Sequence, residues 1–279
     1  MTIRAYLELM RIPNSVLSGF GALFSVLVYS NYCAEALTLI VAYVTGFTVT
    51  AASMIVNDIV DLKVDTVNKP WKPLPRGEAS VEKSRVLAVA LVALAIIVNA
   101  FHSAQTLLVT IIYSAIGLTY SYLRNKAWSH LLVAASTTGP IIYGYIAAGA
   151  PVENLCFTAI FTSTIFTVTL GREFLKAIQD HEGDRRHGYR TIATTLGVEK
   201  AAKTMLATGL TGSAMGALTT LTETSTAYKA LITLAAAIYA YSVHKAYRER
   251  NNEKTLEKAR RNTLIAMYTG IVAFWLSRI

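Results

Sequence analysis

The chain has 279 residues, 53% hydrophobic and only 15% charged, against roughly 25% charged in a soluble domain. Long apolar runs fill the deficit, which excludes an ordinary soluble fold and points to an all-α, polytopic membrane protein. The formal charge of +9 suggests nucleic acid until the charges are placed along the chain, where they report topology instead.

Arg4, Glu8 and Arg11 precede the first apolar stretch without a small-residue cleavage site, so the N-terminus reads as an amphipathic lead-in to a retained span. Runs of spanning length then fall at 14–32, 36–57, 85–102, 106–123, 130–149, 154–175, 201–221, 228–245 and 262–278. They predict nine transmembrane helices in one bundle. Small residues such as Ser136-Thr137-Thr138-Gly139 suit close helix packing in lipid. The connections alternate between short ones and longer basic ones. Of the 26 lysines and arginines, 24 lie on one side, and only Lys229 and Arg278 lie on the other. Basic connections stay in the cytoplasm, which predicts a cytoplasmic N-terminus and an external C-terminus. Residues 1–279 read as a single transmembrane domain with cytoplasmic cap connections at about 58–84 and 176–200. The basic surplus suggests contact with anionic membrane lipids; no basic-plus-aromatic module for RNA or DNA is present. Cys33 and Cys156 lack metal or redox spacing.

Two cytoplasmic connections carry the chemistry. The first opens with Asn57-Asp58-Ile59-Val60-Asp61-Leu62-Lys63-Val64-Asp65. Asn57, Asp61 and Asp65 are spaced four and four, on one helix face, with Asp58 at its edge. The second holds Lys176, Asp180 and Asp184 at the same spacing. Carboxylates so arranged suit Mg²⁺, which takes oxygen ligands and leaves room for substrate phosphate. Lys69, Lys72, Arg76, Arg124, Lys126 and Lys176 lie on the same side and would help neutralise a diphosphate. A single acidic cluster would read as a solvated helix end; two on one membrane face read as a cation and diphosphate site. Pro70, Pro73 and Pro75 forbid a continuous helix, leaving either a rigid turn or a lid that carries Lys69, Lys72 and Arg76. Tyr120 and Arg124, one turn apart, either face the pocket or belong to an interfacial belt. The five histidines form no ligand pattern.

At these residues the chain resembles the UbiA superfamily of intramembrane prenyltransferases. That family carries NDxxDxxxD after its second helix, matched by Asn57 to Asp65. An N-x-P-x-R-P-L-P-x-G stretch follows, matched from Asn68 to Gly77 with Lys72 in place of the usual arginine. That change keeps the charge but loses the bidentate fork. K-x-x-x-D-x-x-x-D after the sixth helix is matched by Lys176, Asp180 and Asp184. The resemblance implies Mg²⁺-dependent prenyl transfer from an isoprenyl diphosphate through an allylic carbocation. It implies metal binding by Asp58, Asp61, Asp65, Asp180 and Asp184, with the last four catalytic. It further implies substrate contacts from Arg11, Asn14, Asn57, Lys69, Lys72, Arg76, Tyr120, Arg124 and Lys176. The run from Arg172 to Asp184 looks most like the archaeal branch that makes membrane ether lipids. That branch alkylates the glycerol hydroxyl of geranylgeranylglyceryl phosphate with geranylgeranyl diphosphate. An aromatic acceptor such as 4-hydroxybenzoate is the alternative. A cation-coupled transporter would place its ionisable groups near the bilayer midplane, whereas these lie at helix ends.

Overall fold

A computed structural model describes residues 2–123, 125–186 and 188–278. Among them the regular structure is helical throughout, with no strand. The chain opens with α1 (Ile3–Leu9), α2 (Ile12–Tyr29), α3 (Ala36–Val60) and a short α4 (Leu62–Asn68). Next come α5 (Val81–His102), α6 (Ala104–Leu123), α7 (Ser129–Ala147), α8 (Leu155–Gln179) and two short helices, α9 (His181–Arg186) and α10 (Ile192–Leu196). Last are α11 (Val198–Leu218), α12 (Thr226–Arg248) and α13 (Glu253–Trp275).

Each of the nine apolar runs is a helix. Six are long and apolar enough to cross a membrane: α2, α3, α5, α6, the Val152–Gln179 stretch that contains α8, and α12. The chain is therefore a multi-pass membrane protein. The largest boundary difference is at α13, which begins at Glu253 and not near residue 262. The Asn252 side chain accepts a bond from the Thr255 amide and starts the helix well before its apolar part. Apolar patterning sees only the later turns.

The helices gather into two units, Met1–Leu123 with Gly139–Ala150, and Arg124–Thr138 with Pro151–Ile279. The division falls inside α7, next to Pro140, which interrupts the helical hydrogen bonding there.

In the first unit α3 packs against α2, α5 and α6. Small residues set the spacing. A Cβ on Gly46 would stand 2.5 Å from the Ser18 carbonyl oxygen, so α2 and α3 meet backbone to backbone. Asn99 ties three elements in the apolar interior. Its amide donates to Thr45 Oγ1 at 2.7 Å, and its carbonyl accepts from the Tyr143 hydroxyl at 2.8 Å. A separate apolar cluster of Ala5, Leu9, Ala52, Ile55, Leu74, Ala79 and Ala88 lies below the acidic connection. It holds α1 and the proline-rich turn onto α3 and α5. Gly77 closes that turn with φ +72°, a conformation that other residues adopt at a cost.

In the second unit α8 packs on α11 and α13, α11 on α12, and α12 on α13. The core runs through Leu170, Phe174, Leu175, Met205, Tyr239 and Val243. Arg278 closes the far end, donating to Asn154 Oδ1 and lying 3.1 Å from Glu223 Oε1. Burial raises the Glu223 carboxyl above its usual range, and Arg278 pulls it back down. Removing one partner of a buried pair leaves an uncompensated charge. Arg278→Met should therefore destabilise the detergent-solubilised protein by about 3 kcal/mol at neutral pH. A raised folded-state pKa favours the native state as pH falls toward the unfolded value. The loss should shrink as pH drops through that window, read as the unfolding midpoint against pH.

Candidate active site

The first acidic motif straddles the end of α3. Asp61 ends that helix yet keeps near-helical angles. The i to i−4 bonds run on through it, from the Asp61 amide to the Asn57 carbonyl (3.0 Å) and from the Asp65 amide to Asp61 (2.8 Å). The motif therefore keeps its helical spacing across the break. Asp58, Asp61 and Asp65 are all buried. Asp58 lies in the last turn of α3, where the macrodipole disfavours negative charge, and Asp65 in the first turn of α4; buried carboxylates of this kind call for cationic partners.

Two of them share one. Lys72 Nζ lies 2.8 Å from Asp58 Oδ1 and 2.6 Å from Asp65 Oδ2. Asp58 Oδ1 also accepts from Arg11 Nη2 at 2.9 Å. Lys69 stands 3.8 Å from Asp65. The carboxylate placed at the edge of the face by sequence is thus central. Asp58 and Asp65 are seven apart, two helical turns, which is one face as surely as four apart. Arg11 reaches Asp58 from a left-handed backbone (φ 45°, ψ 60°) at the break between α1 and α2. A non-glycine residue held there costs on the order of 1 kcal/mol or more, an expense that clusters at functional sites.

The second motif repeats this construction. α8, like α3, has 25 residues, ends at an aspartate, Asp180, and passes into a short helix bearing the next, Asp184. The Asp184 amide bonds the Asp180 carbonyl at 2.9 Å. Asp180 is exposed and Asp184 half-buried. Lys176 turns to Glu173, at 2.7 Å.

Asn57 is half-buried, and Asn14 is exposed in the first turn of α2. Arg76 pairs with Glu78 (2.7 Å) and Glu8 (3.3 Å), carboxylates outside the motif. Tyr120 is half-buried in the last turn of α6, and Arg124 lies outside the described residues. Sequence reasoning passed over Glu173, a buried carboxylate on α8. Lys176 contacts it, and Arg172 Nη1 and His130 Nδ1 each stand 4.0 Å away. An acidic residue inside a membrane-length apolar run, three positions before a lysine, was the available signal.

Among the described residues, no three His, Cys, Asp or Glu side chains are grouped to hold a metal ion. The donor set nevertheless fits a hard cation, because the carboxylates of Asp58 and Asp65 already converge on one positive centre at hydrogen-bond distance. Asp58 and Asp65 could hold a divalent ion where they here hold Lys72.

Paired aspartate motifs closing long membrane helices define an intramembrane transferase, and the chain belongs to the UbiA prenyltransferase family, which it matches over residues 18–274. It is a prenyltransferase enzyme. Among its relatives is the digeranylgeranylglyceryl phosphate synthase of Saccharolobus solfataricus, 33% identical over 209 residues, 72% of each chain. The enzyme of the same name from Ignicoccus hospitalis is 28% identical over 99% of this chain and 92% of its own. A solved digeranylgeranylglyceryl phosphate synthase shares the fold, with a TM-score of 0.86 at 22% identity over 99% of this chain and 98% of that one. A UbiA homologue from Archaeoglobus fulgidus, solved with GPP and Mg²⁺, matches with a TM-score of 0.71 at 20% identity, covering 97% of this chain and 99% of that one.

A lysine in a cation's place should compete with the cation. Lys72→Gln leaves two buried carboxylates without it and should lower metal-free stability by about 3 kcal/mol. Mg²⁺ without diphosphate should then raise the unfolding midpoint more in the variant than in the native protein. An equal rise in both would show that lysine and metal do not share the position.

Proposed function

We propose that this protein transfers a geranylgeranyl group from geranylgeranyl diphosphate to the hydroxyl of geranylgeranylglyceryl phosphate, a step of archaeal ether-lipid synthesis. The observation that carries the proposal is the convergence of Asp58 and Asp65 on one cationic centre at a membrane helix end. The names of the relatives, and the Mg²⁺ held with GPP by the Archaeoglobus homologue, support the same reading.

In this reading Asp58, Asp61 and Asp65 of one motif and Asp180 and Asp184 of the other hold Mg²⁺. The bound metal neutralises the diphosphate and makes it a better leaving group. Lys72 and Arg11, released from the carboxylates, add positive charge to the diphosphate, with Lys69, Arg76, Arg124 and Lys176 as further cations. Asn14, Asn57 and Tyr120 supply polar contacts to the substrates. The bond from the prenyl carbon to the diphosphate oxygen breaks, the glycerol hydroxyl oxygen attacks the allylic cation, and the hydroxyl proton is released. Apolar side chains of the helices house the prenyl tail and keep water from the cation. An acceptor bearing its own phosphate accounts for the surplus of lysine and arginine around the motifs. The whole of residues 1–279 acts as one transmembrane domain of nine spans. Its N-terminus and acidic motifs face the cytoplasm, its C-terminus lies outside, and the connections at about 58–84 and 176–200 cap the site.

Labelled geranylgeranyl diphosphate, offered with Mg²⁺ and both acceptors, tests the assignment. The label should enter the glyceryl phosphate lipid. Asp65→Asn and Asp184→Asn should each lower turnover at least about 100-fold, an electrostatic loss of roughly 3 kcal/mol. Both variants should still elute as folded protein. Product from 4-hydroxybenzoate alone would overturn the acceptor, and full turnover in both variants would overturn the role of the motifs.

A further inference from the structure

The antiparallel hairpin of α12 and α13 holds a lysine-lined cleft that the acidic motifs do not use. The cleft encloses about 170 Å³ and is lined by Tyr241, Ser242, Lys245, Lys254, Thr255, Lys258, Ala259 and Asn262. Three of these residues are lysines and none is acidic. Lys245 comes from the last turn of α12, and Lys254 and Lys258 from the first turns of α13. None of the three forms an ion pair among the described residues.

The walls are fixed. The Asn252 side chain caps the Thr255 amide at 3.3 Å, and the Thr255 hydroxyl donates to Glu249 Oε2 at 2.6 Å. Glu249 at the tip is thereby engaged. The Asn252 amide bonds the Glu249 carbonyl at 2.8 Å and closes the turn. Lysines left to repel one another in a rigid cleft are arranged for an anion. The positive end of the α13 dipole points the same way.

Size and surroundings narrow the choice. Pockets for whole small molecules usually enclose roughly 300–1,000 Å³; this one suits a single headgroup. Tyr241, one turn inward from Lys245, is 62% exposed. On a membrane helix such a tyrosine marks headgroup depth. Basic pockets between transmembrane helices at that depth bind anionic lipid heads.

We propose that the cleft between α12 and α13 binds the phosphate of an anionic membrane phospholipid, with Lys245, Lys254 and Lys258 neutralising it and Tyr241 and Asn262 donating hydrogen bonds. The site is independent of the acceptor assigned above. A lipid bound there pins the hairpin to the membrane surface and bridges its two helices.

The test uses the full chain in neutral detergent, titrated with phosphatidylglycerol, phosphatidylcholine or inorganic phosphate. Unfolding midpoints and retained lipid by native mass spectrometry are read together. Phosphatidylglycerol should raise the midpoint and stay bound, while phosphatidylcholine and inorganic phosphate should do neither. Combining Lys245→Gln, Lys254→Gln and Lys258→Gln should weaken phosphatidylglycerol binding on the order of 100-fold, at about fivefold per lysine. Arginine at the same three positions should restore it. Lys63→Gln, Lys83→Gln and Arg85→Gln together remove equal charge elsewhere and should leave it unchanged. Equal binding of the two lipids, equal protection by inorganic phosphate, or an equal loss in the second triple variant would each overturn the site.

Discussion

Two buried carboxylates where an apolar helix gives way to a short one need a cationic partner, and the first unit is organised around that constraint. Asp58 and Asp65 meet on the ammonium of Lys72. Bringing that lysine there requires the proline-rich turn, which Leu74 and Ala79 anchor into the apolar cluster beneath. Bringing Arg11 there requires the left-handed break between α1 and α2. Lys72 brings both carboxylates a compact charge on a flexible stem.

The same local design occurs twice. A 25-residue helix ends on an aspartate, the hydrogen bonding continues through the break, and a short helix presents the second carboxylate. The two copies differ in burial. Asp58, Asp61 and Asp65 are enclosed, whereas Asp180 is exposed. Lys176, the cation one turn before Asp180, is committed to Glu173. Glu173 thus holds Lys176 much as Asp58 and Asp65 hold Lys72.

Much of this was legible in the sequence. Helix type followed from apolar runs, because lipid admits few alternatives to helix. The two aspartate motifs followed from their spacing. The rest depended on tertiary contacts that periodicity does not encode. A face drawn through Asn57, Asp61 and Asp65 left Asp58 at the rim, because only Arg11 and Lys72, distant in sequence, bring it to the centre. Arg76 reads as a lid residue from its neighbours in the proline-rich run, yet it finds Glu8 on α1. Glu173 was hidden among apolar neighbours. The start of α13 was hidden by its charged turns, the same turns that build the basic cleft.

In the proposed reaction, metal and diphosphate would enter by exchanging with Lys72, which bridges Asp58 and Asp65. The measurement that tests this most directly is a structure of the protein with Mg²⁺ and a non-hydrolysable isoprenyl diphosphate analogue. Lys72 should then be found on the diphosphate, with a metal ion bound by Asp58 and Asp65. Lys72 still bridging those two aspartates, with the metal and diphosphate seated elsewhere, would contradict the account.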